Sequence, residues 1–415
     1  MITRISQLKS MDRFTKNIFI VFAGSSFVNL FNLLYQLVIA HKLSSAEFAA
    51  VNSLLSIFMI ISAPLFTVRM AVVKYCSEFN THKQFSKIRY LLSEFFKRSA
   101  VLSALTLIIF LFLSRPLVSV LKLPSASSGY ILAILLALAW FVPVSLGALQ
   151  GLELFGWLSS SSVAMGALKL ILVFFLIQFG FKIEGALGAL LLSILLGLAI
   201  AYLPLKKFFK LKVEKENINY KEIINFLFPV AISYFCFMSL VNFDMVLVRY
   251  YFSSGNSGLY SLAQMVGKIF LFLPVAVSLV MFPRTSGLNA RNKDTLSLLK
   301  KSLKYVLSLC VFAVTFYNFF PGFVLKLLTG KVYLESIILG RFFSISMSFF
   351  ALSYVLILYF LSVRDFRFTK SLVVLTVMQI LAITLFHNNL YQVQLILCLN
   401  AFLLFFNNLR LVFKK

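Results

Sequence analysis

The chain has 415 residues, 61% hydrophobic and 13% charged, with a mean hydropathy of +0.96; soluble globular domains carry about 45 to 50% apolar and about 25% charged residues. Even a large soluble domain buries only about 75% of the surface its unfolded chain exposes, so this composition excludes a water-soluble fold and requires an exterior facing lipid. A formal charge of +26, from 39 Lys and Arg against 13 Asp and Glu, would suggest an anionic partner in a soluble protein, but its placement along the chain gives it another meaning.

Apolar runs near 20 residues predict twelve spanning helices, at 17–40, 48–70, 99–120, 129–150, 158–180, 184–205, 222–243, 257–281, 303–322, 335–361, 369–387 and 391–411. Runs of this length exclude a transmembrane barrel, whose strands need about 9 to 11 residues. With the amino terminus in the cytoplasm and sides alternating, 29 basic residues fall on one face, in segments 1–17, 69–98, 206–221, 284–304, 364–370 and 410–415. The other face receives seven: Lys42, Arg115, Lys122, Lys182, Arg249, Lys326 and Lys331. That asymmetry predicts both termini in the cytoplasm and a multi-pass protein of the cytoplasmic membrane. Arg4, Lys9, Asp12, Arg13 and Lys16 precede the first span without a secretory cleavage pattern, so the first span reads as a retained anchor. The four cysteines and three histidines are scattered, which gives no metal-ligand spacing.

The basic segment 206–221 falls after six spans and before six more. It predicts a six-helix lobe over 1–205, a cytoplasmic linker over 206–221 and a second lobe over 222–415, the gross pattern of transporters built from two bundles. A weak echo joins the halves: Ser44, Ser45, Ala46, Glu47 and Phe48 open one span, and Asn256, Ser257, Gly258, Leu259 and Tyr260 open its counterpart. Pro64, Pro143, Pro229, Pro274 and Pro321 are candidate bends, while Gly151, Gly156, Gly185 and Gly188 suit close helix contact.

Charged groups inside spans need a partner, water or an interface. Asp244 lies in the seventh span after Asn242, with Arg249 five residues on, a spacing that suits no same-helix pair. Asp244 is therefore the candidate for ion coupling, or else a surface carboxylate beyond the lipid edge. Gln264 and Lys268 at i, i+4 make a polar stripe with Ser261. Arg341 and Arg69 are further cations that either line a cavity or snorkel to an interface. Asn32 and Gln36 make a second i, i+4 stripe, and Asn52 adds an amide in the second span. Lys268, Arg341 and Arg69 could attract a phosphate while Gln264, Asn32, Gln36 and Asn52 meet sugar hydroxyls; the amides could equally join helices. Lys169 also lies inside a span, and Lys268 is expected to matter more to transport.

No GxxxxGK[ST] segment is present, and the loops are too short for an ATPase domain. No extramembrane glycosyltransferase domain is present, and the acids, mostly in linkers, poorly meet the need of a membrane-embedded transferase for placed carboxylates, so a transporter is expected rather than an enzyme. No filter-like loop suggests a channel, and the basic charge follows topology, so no nucleic-acid partner or cofactor is expected.

The stretch VNFDMVLVRYYFSSGNSGLYSLAQMVGKIFLFLPVAVSLVMFPRTSG, from Val241 to Gly287, resembles the second-half opening of the polysaccharide-transport, or oligosaccharide flippase, branch of the multidrug/oligosaccharidyl-lipid/polysaccharide exporter superfamily. The matching features fall on Asp244, Gly258, Leu259, Tyr260, Lys268, Pro274, Phe282 and Pro283. AEFAAVNSLLSIFMIISAPLFTV from Ala46 and LGALQGLELFGWLS from Leu146 are similar to first-half segments of the same family. The resemblance implies an all-α integral membrane protein of about twelve helices, in two six-helix lobes around a central cavity. It implies flipping of a polyprenyl-diphosphate-linked oligosaccharide by alternating access, with membrane lipids, a glycan polymerase and glycosyltransferases as partners; the lack of an ATP site and the carboxylate of Asp244 predict that a proton or sodium gradient drives it. A drug or small-metabolite exporter, or a non-transporting scaffold for glycan assembly, are the alternatives.

Overall fold

A bilayer offers the peptide groups no water, so spanning segments must pair them internally and become helices. The computed structural model describes residues 13–210, 220–272, 275–290 and 293–413. These residues form seventeen helices. They are α1 (Arg13–Lys42), α2 (Ser45–Ser62), α3 (Leu65–Thr81), α4 (Phe85–Val120), α5 (Ser127–Ala139), α6 (Phe141–Gly151), α7 (Phe155–Gln178), α8 (Lys182–Phe209) and α9 (Tyr220–Leu240), followed by α10 (Phe243–Tyr251), α11 (Ser254–Phe272), α12 (Val275–Ala290), α13 (Leu296–Phe319), α14 (Pro321–Thr329), α15 (Leu334–Ser362), α16 (Phe368–Leu385) and α17 (Leu390–Phe413). Residues 1–12, the linker segment 211–219 and Pro274 lie outside the described residues.

The chain is thus an all-α, multi-pass membrane protein. Among the described residues ten helical segments are long and apolar enough to cross a bilayer, and eleven if the bent pair α9–α10 counts as one span. The sequence predicts twelve. The difference falls at 257–281, a stretch that runs across residues outside the described ones; its described part, α11, packs against α15 and α2, where Ser257, Ser261 and Gln264 are buried against protein.

Proline explains some helix breaks and not others. Pro64 caps the start of α3 and separates it from α2, and Pro143 sits in the first turn of α6 just after the α5–α6 break. Pro229 stays inside α9 without a break. The 41° bend between α9 and α10 comes at Val241 and Asn242, where no proline stands. There the Asn242 side chain donates to the Met238 carbonyl at 2.9 Å, competing with the helical ladder.

Contacts divide the chain into two units: Met1–Ile39, Pro64–Ser119 and Leu123–Leu227 form unit 1, and Ala40–Ala63, Val120–Lys122 and Phe228–Lys415 form unit 2. In unit 1, α7 packs along α8 and α3 along α6. A core of Val72, Cys76, Phe79, Ile88, Leu91, Leu92, Val144, Leu149 and Leu205 ties the ends of α3, α6 and α8 to the start of α4. At Gly151 a Cβ would stand 2.7 Å from both Cys76 Cβ and the Val73 carbonyl oxygen, so only glycine allows this approach of α6 to α3. Gly156, expected at a close contact, meets nothing within 4 Å.

Unit 2 is organised around α15, the most enclosed of the spanning helices, which packs against α11, α13 and α17. A capping box opens α2: Glu47 N–H donates to Ser44 Oγ at 3.2 Å, and Ser44 N–H to Glu47 Oε2 at 2.9 Å. The two echo segments touch, since a Cβ at Gly258 would lie 2.7 Å from Ser45 Cβ.

Three basic residues expected on the sparsely charged face hold helix ends together within unit 2. Lys331 Nζ donates to the carbonyls of Ala40, at 2.9 Å, and Leu43. Lys122 Nζ donates to the Phe252 carbonyl at 2.7 Å. Arg249, only 3% exposed, donates to the carbonyls of Leu121 at 2.7 Å and Lys122 at 2.9 Å. Helix C-termini leave carbonyls without intrahelical partners and carry partial negative charge, so cations suit them. Loops that the charge count assigns to one face therefore meet one another.

Candidate functional site

The α9–α10 bend places Asp244 in the first turn of α10, where unpaired N–H groups and the helix dipole favour an anion. Its carboxylate is fully buried, which removes the surface alternative. Tyr260 OH donates to Oδ2 at 2.8 Å, and Gln264 Nε2 donates to Oδ2 at 3.0 Å and Oδ1 at 3.2 Å. Lys268, one turn beyond Gln264 on α11 and half-buried, lies within electrostatic reach of Asp244. One face of α11, read Tyr260, Gln264, Lys268 at i, i+4, i+8, thus presents two neutral donors and a cation to a single acid. A buried charge costs about 2.5 to 3.5 kcal/mol on insertion scales; two hydrogen bonds to an ionised acceptor, at about 1.5 to 3 kcal/mol each, offset that. Arg249 takes no part, because its guanidinium is committed to backbone carbonyls.

A second polar group lies in unit 1. Lys169, on α7, donates through Nζ to Asn32 Oδ1 on α1 and sits 4.6 Å from the centre of the Tyr35 ring. Tyr35 is fixed by its own hydroxyl, which donates to the Ala186 carbonyl of α8 at 2.8 Å. The cation–π contact, worth about 0.5 to 2 kcal/mol, and the amide hydrogen bond offset the insertion cost. Neither supplies a negative charge. Gln36, one turn beyond Asn32, has a buried side-chain oxygen with no hydrogen-bond partner.

The remaining candidates are dispersed. Arg69 is half-buried and grips Gln150 Oε1 through Nε at 3.2 Å and Nη2 at 2.9 Å, joining α3 to α6. Asn52 is buried and donates to Ser261 Oγ at 2.8 Å, joining α2 to α11. Arg341 is exposed on α15. Sequence reasoning missed the Tyr260 hydroxyl, although its four-residue spacing from Gln264 was visible. It also missed a buried amide chain: Gln379 donates to the Leu240 carbonyl at 2.8 Å, beside the bend, and Asn400 donates to Gln379 Oε1 at 3.0 Å. Single amides in apolar spans carry no periodic signal. Among the described residues no cluster of His, Cys, Asp and Glu could hold a metal ion.

These helices have the fold of transporters of the MOP superfamily. The chain superposes on the inward-facing conformation of a multidrug resistance MATE family transporter of that superfamily with a TM-score of 0.76, at 15% identity, over 93% of this chain and 94% of that one. It is similar to the lipid II flippase MurJ in an inward closed conformation, with a TM-score of 0.71, 15% identity and coverage of 95% and 87%. A MOP superfamily transporter from Pyrococcus furiosus, described as having a binding pocket of reverse polarity, gives 0.65 at 17% identity over 95% and 94%. The profile of the family described as "Polysaccharide biosynthesis protein" matches residues 14–289, and the chain belongs to that family. No curated protein sequence matches it.

Proposed function

We propose that this chain is a secondary transporter that moves a polyprenyl-diphosphate-linked oligosaccharide across the cytoplasmic membrane during synthesis of O-antigen, capsule or a similar polysaccharide. The observation that carries the reading is the polysaccharide biosynthesis match over residues 14–289. In this reading the lobes 1–205 and 222–415, joined by the linker 206–221, alternately open a central cavity, with both termini in the cytoplasm. Arg341 and Arg69 draw the diphosphate, Lys268 acts as the counter-charge of Asp244, Gln264, Asn32 and Gln36 meet glycan hydroxyls, and Asn52 ties α2 to α11. Asp244 carries the coupling proton or sodium ion, because an acid with donors from one neighbouring helix changes its interactions when that helix moves. Glycosyltransferases and a polymerase would supply and consume the lipid-linked glycan.

A second reading, export of a drug or small metabolite, is favoured by the TM-score of 0.76 with the multidrug transporter. Proteoliposomes separate the two. Flipping of lipid-linked glycans, driven by pH or sodium gradients imposed one at a time, is expected; gradient-driven movement of cationic dyes without glycan flipping selects the exporter, and neither activity selects a scaffold.

A further inference from the structure

Among the described residues, five of the ten buried side-chain nitrogen and oxygen atoms without a hydrogen-bond partner belong to one helix, α17: both amide atoms of Gln394, both of Asn408, and Oδ1 of Asn400. Gln394 and Asn408 are fully buried and Asn400 is 5% exposed. Gln379, by contrast, uses both ends of its amide. A buried amide that protein leaves unpaired is costly unless a small polar molecule completes it, and ordered water is the usual one. The three residues lie on the face of α17 buried against α15 and α16. Helical rise spaces them by about 9 Å from Gln394 to Asn400 and about 12 Å from Asn400 to Asn408. On α15 the Phe349 ring packs with those of Phe402, Phe405 and Phe406 at 5.5, 5.8 and 6.4 Å. Ser353, one turn further on, therefore stands level with Asn408, and its buried hydroxyl is another of the ten. At the other end Gln394 lies beside the Tyr260 hydroxyl without completing a hydrogen bond to it, and Tyr260 donates to Asp244. Asn242 Oδ1, two residues from Asp244, is also one of the ten. A seam of unfilled polar groups thus runs from the buried acid to Asn408, five residues short of Phe413 at the end of α17.

We propose that these groups hold a file of ordered water molecules along α17, and that the file carries protons between Asp244 and the aqueous phase at the carboxyl end of that helix. The proposal rests on the transport reading, which puts this end in the cytoplasm, and it makes the coupling ion a proton. Water molecules in file pass a proton by exchanging hydrogen bonds: hydronium at the α17 end gives one up, each water hands one on, and an Asp244 oxygen takes the last. Neutral amides suit the task, because each is both donor and acceptor and orients water without trapping the charge as a carboxylate would. A metal cation gathers several oxygens at once, whereas along this seam the acceptors stand about 9 to 12 Å apart. Tyr260 and Lys268 of α11 are the titratable groups that face Asp244, with Cys398 of α17 beside Tyr260. The other helices packed against α10 are α2 and α16; they carry only Glu47, held in its capping box, and Lys370, in the first turn of α16.

Radiolytic hydroxyl-radical labelling of the full chain in phosphatidylcholine nanodiscs reads the water directly, because radicals formed from a bound water oxidise the side chains beside it. Leu397 and Leu404, fully buried between the amides, are expected to be oxidised, whereas Leu91 and Leu92, equally buried in the apolar core of unit 1, stay unlabelled. Asn408→Leu is expected to lower the labelling of Leu404 and, in proteoliposomes, to slow pH-driven flipping of lipid-linked glycan by about tenfold, with half-saturation unchanged. Asn408→Ser, which keeps a hydroxyl and room for water, should retain most of both. Thermal unfolding identifies misfolding, and Gln394→Leu, at the opposite end of the file, repeats the test should Asn408→Leu fail to fold. Unlabelled Leu397 and Leu404 in the parent overturn the proposal, as does a parent-like rate of pH-driven flipping in the folded variant. Flipping driven by a sodium gradient alone also overturns it, by removing the proton. If the parent flips no glycan under either gradient but Asn408-dependent labelling persists, the transport reading fails and the water file stands.

Discussion

Lys169 and Lys268 are the same residue inside a membrane helix, yet Lys268 lies within electrostatic reach of an acid and, among the described residues, no carboxylate pairs with Lys169. On α11 the cation lies within electrostatic reach of Asp244, whose carboxylate accepts from Tyr260 and Gln264. On α7 the cation meets only an amide oxygen and an aromatic face. An intramembrane charge with an opposite charge nearby can change state without a ligand, whereas one without it keeps donors free for another acceptor. The first arrangement suits energy coupling and the second suits recognition.

The largest effect is expected at the acid. Asp244→Asn keeps an acceptor for Tyr260 and Gln264, so folding should persist, while gradient-driven glycan accumulation falls by about tenfold or more and passive exchange survives. Unchanged dependence on both pH and sodium gradients would take Asp244 out of the coupling role. The contrast sharpens with the two lysines: Lys268→Ala should lower the maximal gradient-driven rate, and Lys169→Ala should raise the half-saturating concentration of lipid-linked glycan by about tenfold. The same change in the same parameter for both would erase the distinction. A double-mutant cycle between Asp244→Asn and Lys268→Met should show a coupling of about 0.5 to 3 kcal/mol, and a cycle between Asp244→Asn and Lys169→Met none beyond error.

Arg249 tests whether any buried membrane cation has such effects. It gives two hydrogen bonds to backbone carbonyls and, with Asp244, is one of two buried charged side chains among the described residues. Arg249→Met leaves the Leu121 and Lys122 carbonyls without these donors, at about 1 to 3 kcal/mol. Thermal unfolding in detergent should register that loss, with the gradient dependence of the surviving transport unchanged. Altered ion dependence in this variant would mean that coupling is not confined to the Asp244 set.

Much of the helix layout could be read from apolar length: the expected spans 158–180 and 184–205 correspond to α7 at Phe155–Gln178 and α8 at Lys182–Phe209. Hydropathy marks the lipid-facing part of a helix and not its end, so α4, expected from residue 99, begins at Phe85 and carries Lys87, Arg89, Lys97 and Arg98 in its first turns. The bend at Asn242 left no proline to announce it. At the site, the Gln264–Lys268 stripe was legible because helical spacing puts both on one face. Its acid was legible as a residue but not as a partner, since Tyr260 reaches Asp244 across sixteen residues and a change of helix. Lys169 and Asn32 are 137 residues apart, and pairing at that distance depends on which helices pack together.

The smallest expected effect separates an amide that joins helices from one that meets substrate. Asn52 was a candidate for hydroxyl recognition, but its side chain is buried and donates to Ser261 at 2.8 Å between α2 and α11. Asn32, in contrast, is exposed beside Lys169. Interhelical hydrogen bonds in membranes average about 0.6 kcal/mol by double-mutant cycle, because the separated helices find other partners. Asn52→Ala should therefore lower stability by about that amount, with half-saturation for lipid-linked glycan unchanged, while Asn32→Ala shifts half-saturation and leaves stability nearly intact. The two variants measured side by side, by unfolding in detergent and by flipping at graded substrate, assign each amide. A rise in half-saturation for Asn52→Ala equal to that for Asn32→Ala would return Asn52 to the binding surface and require α2 and α11 to part during the transport cycle.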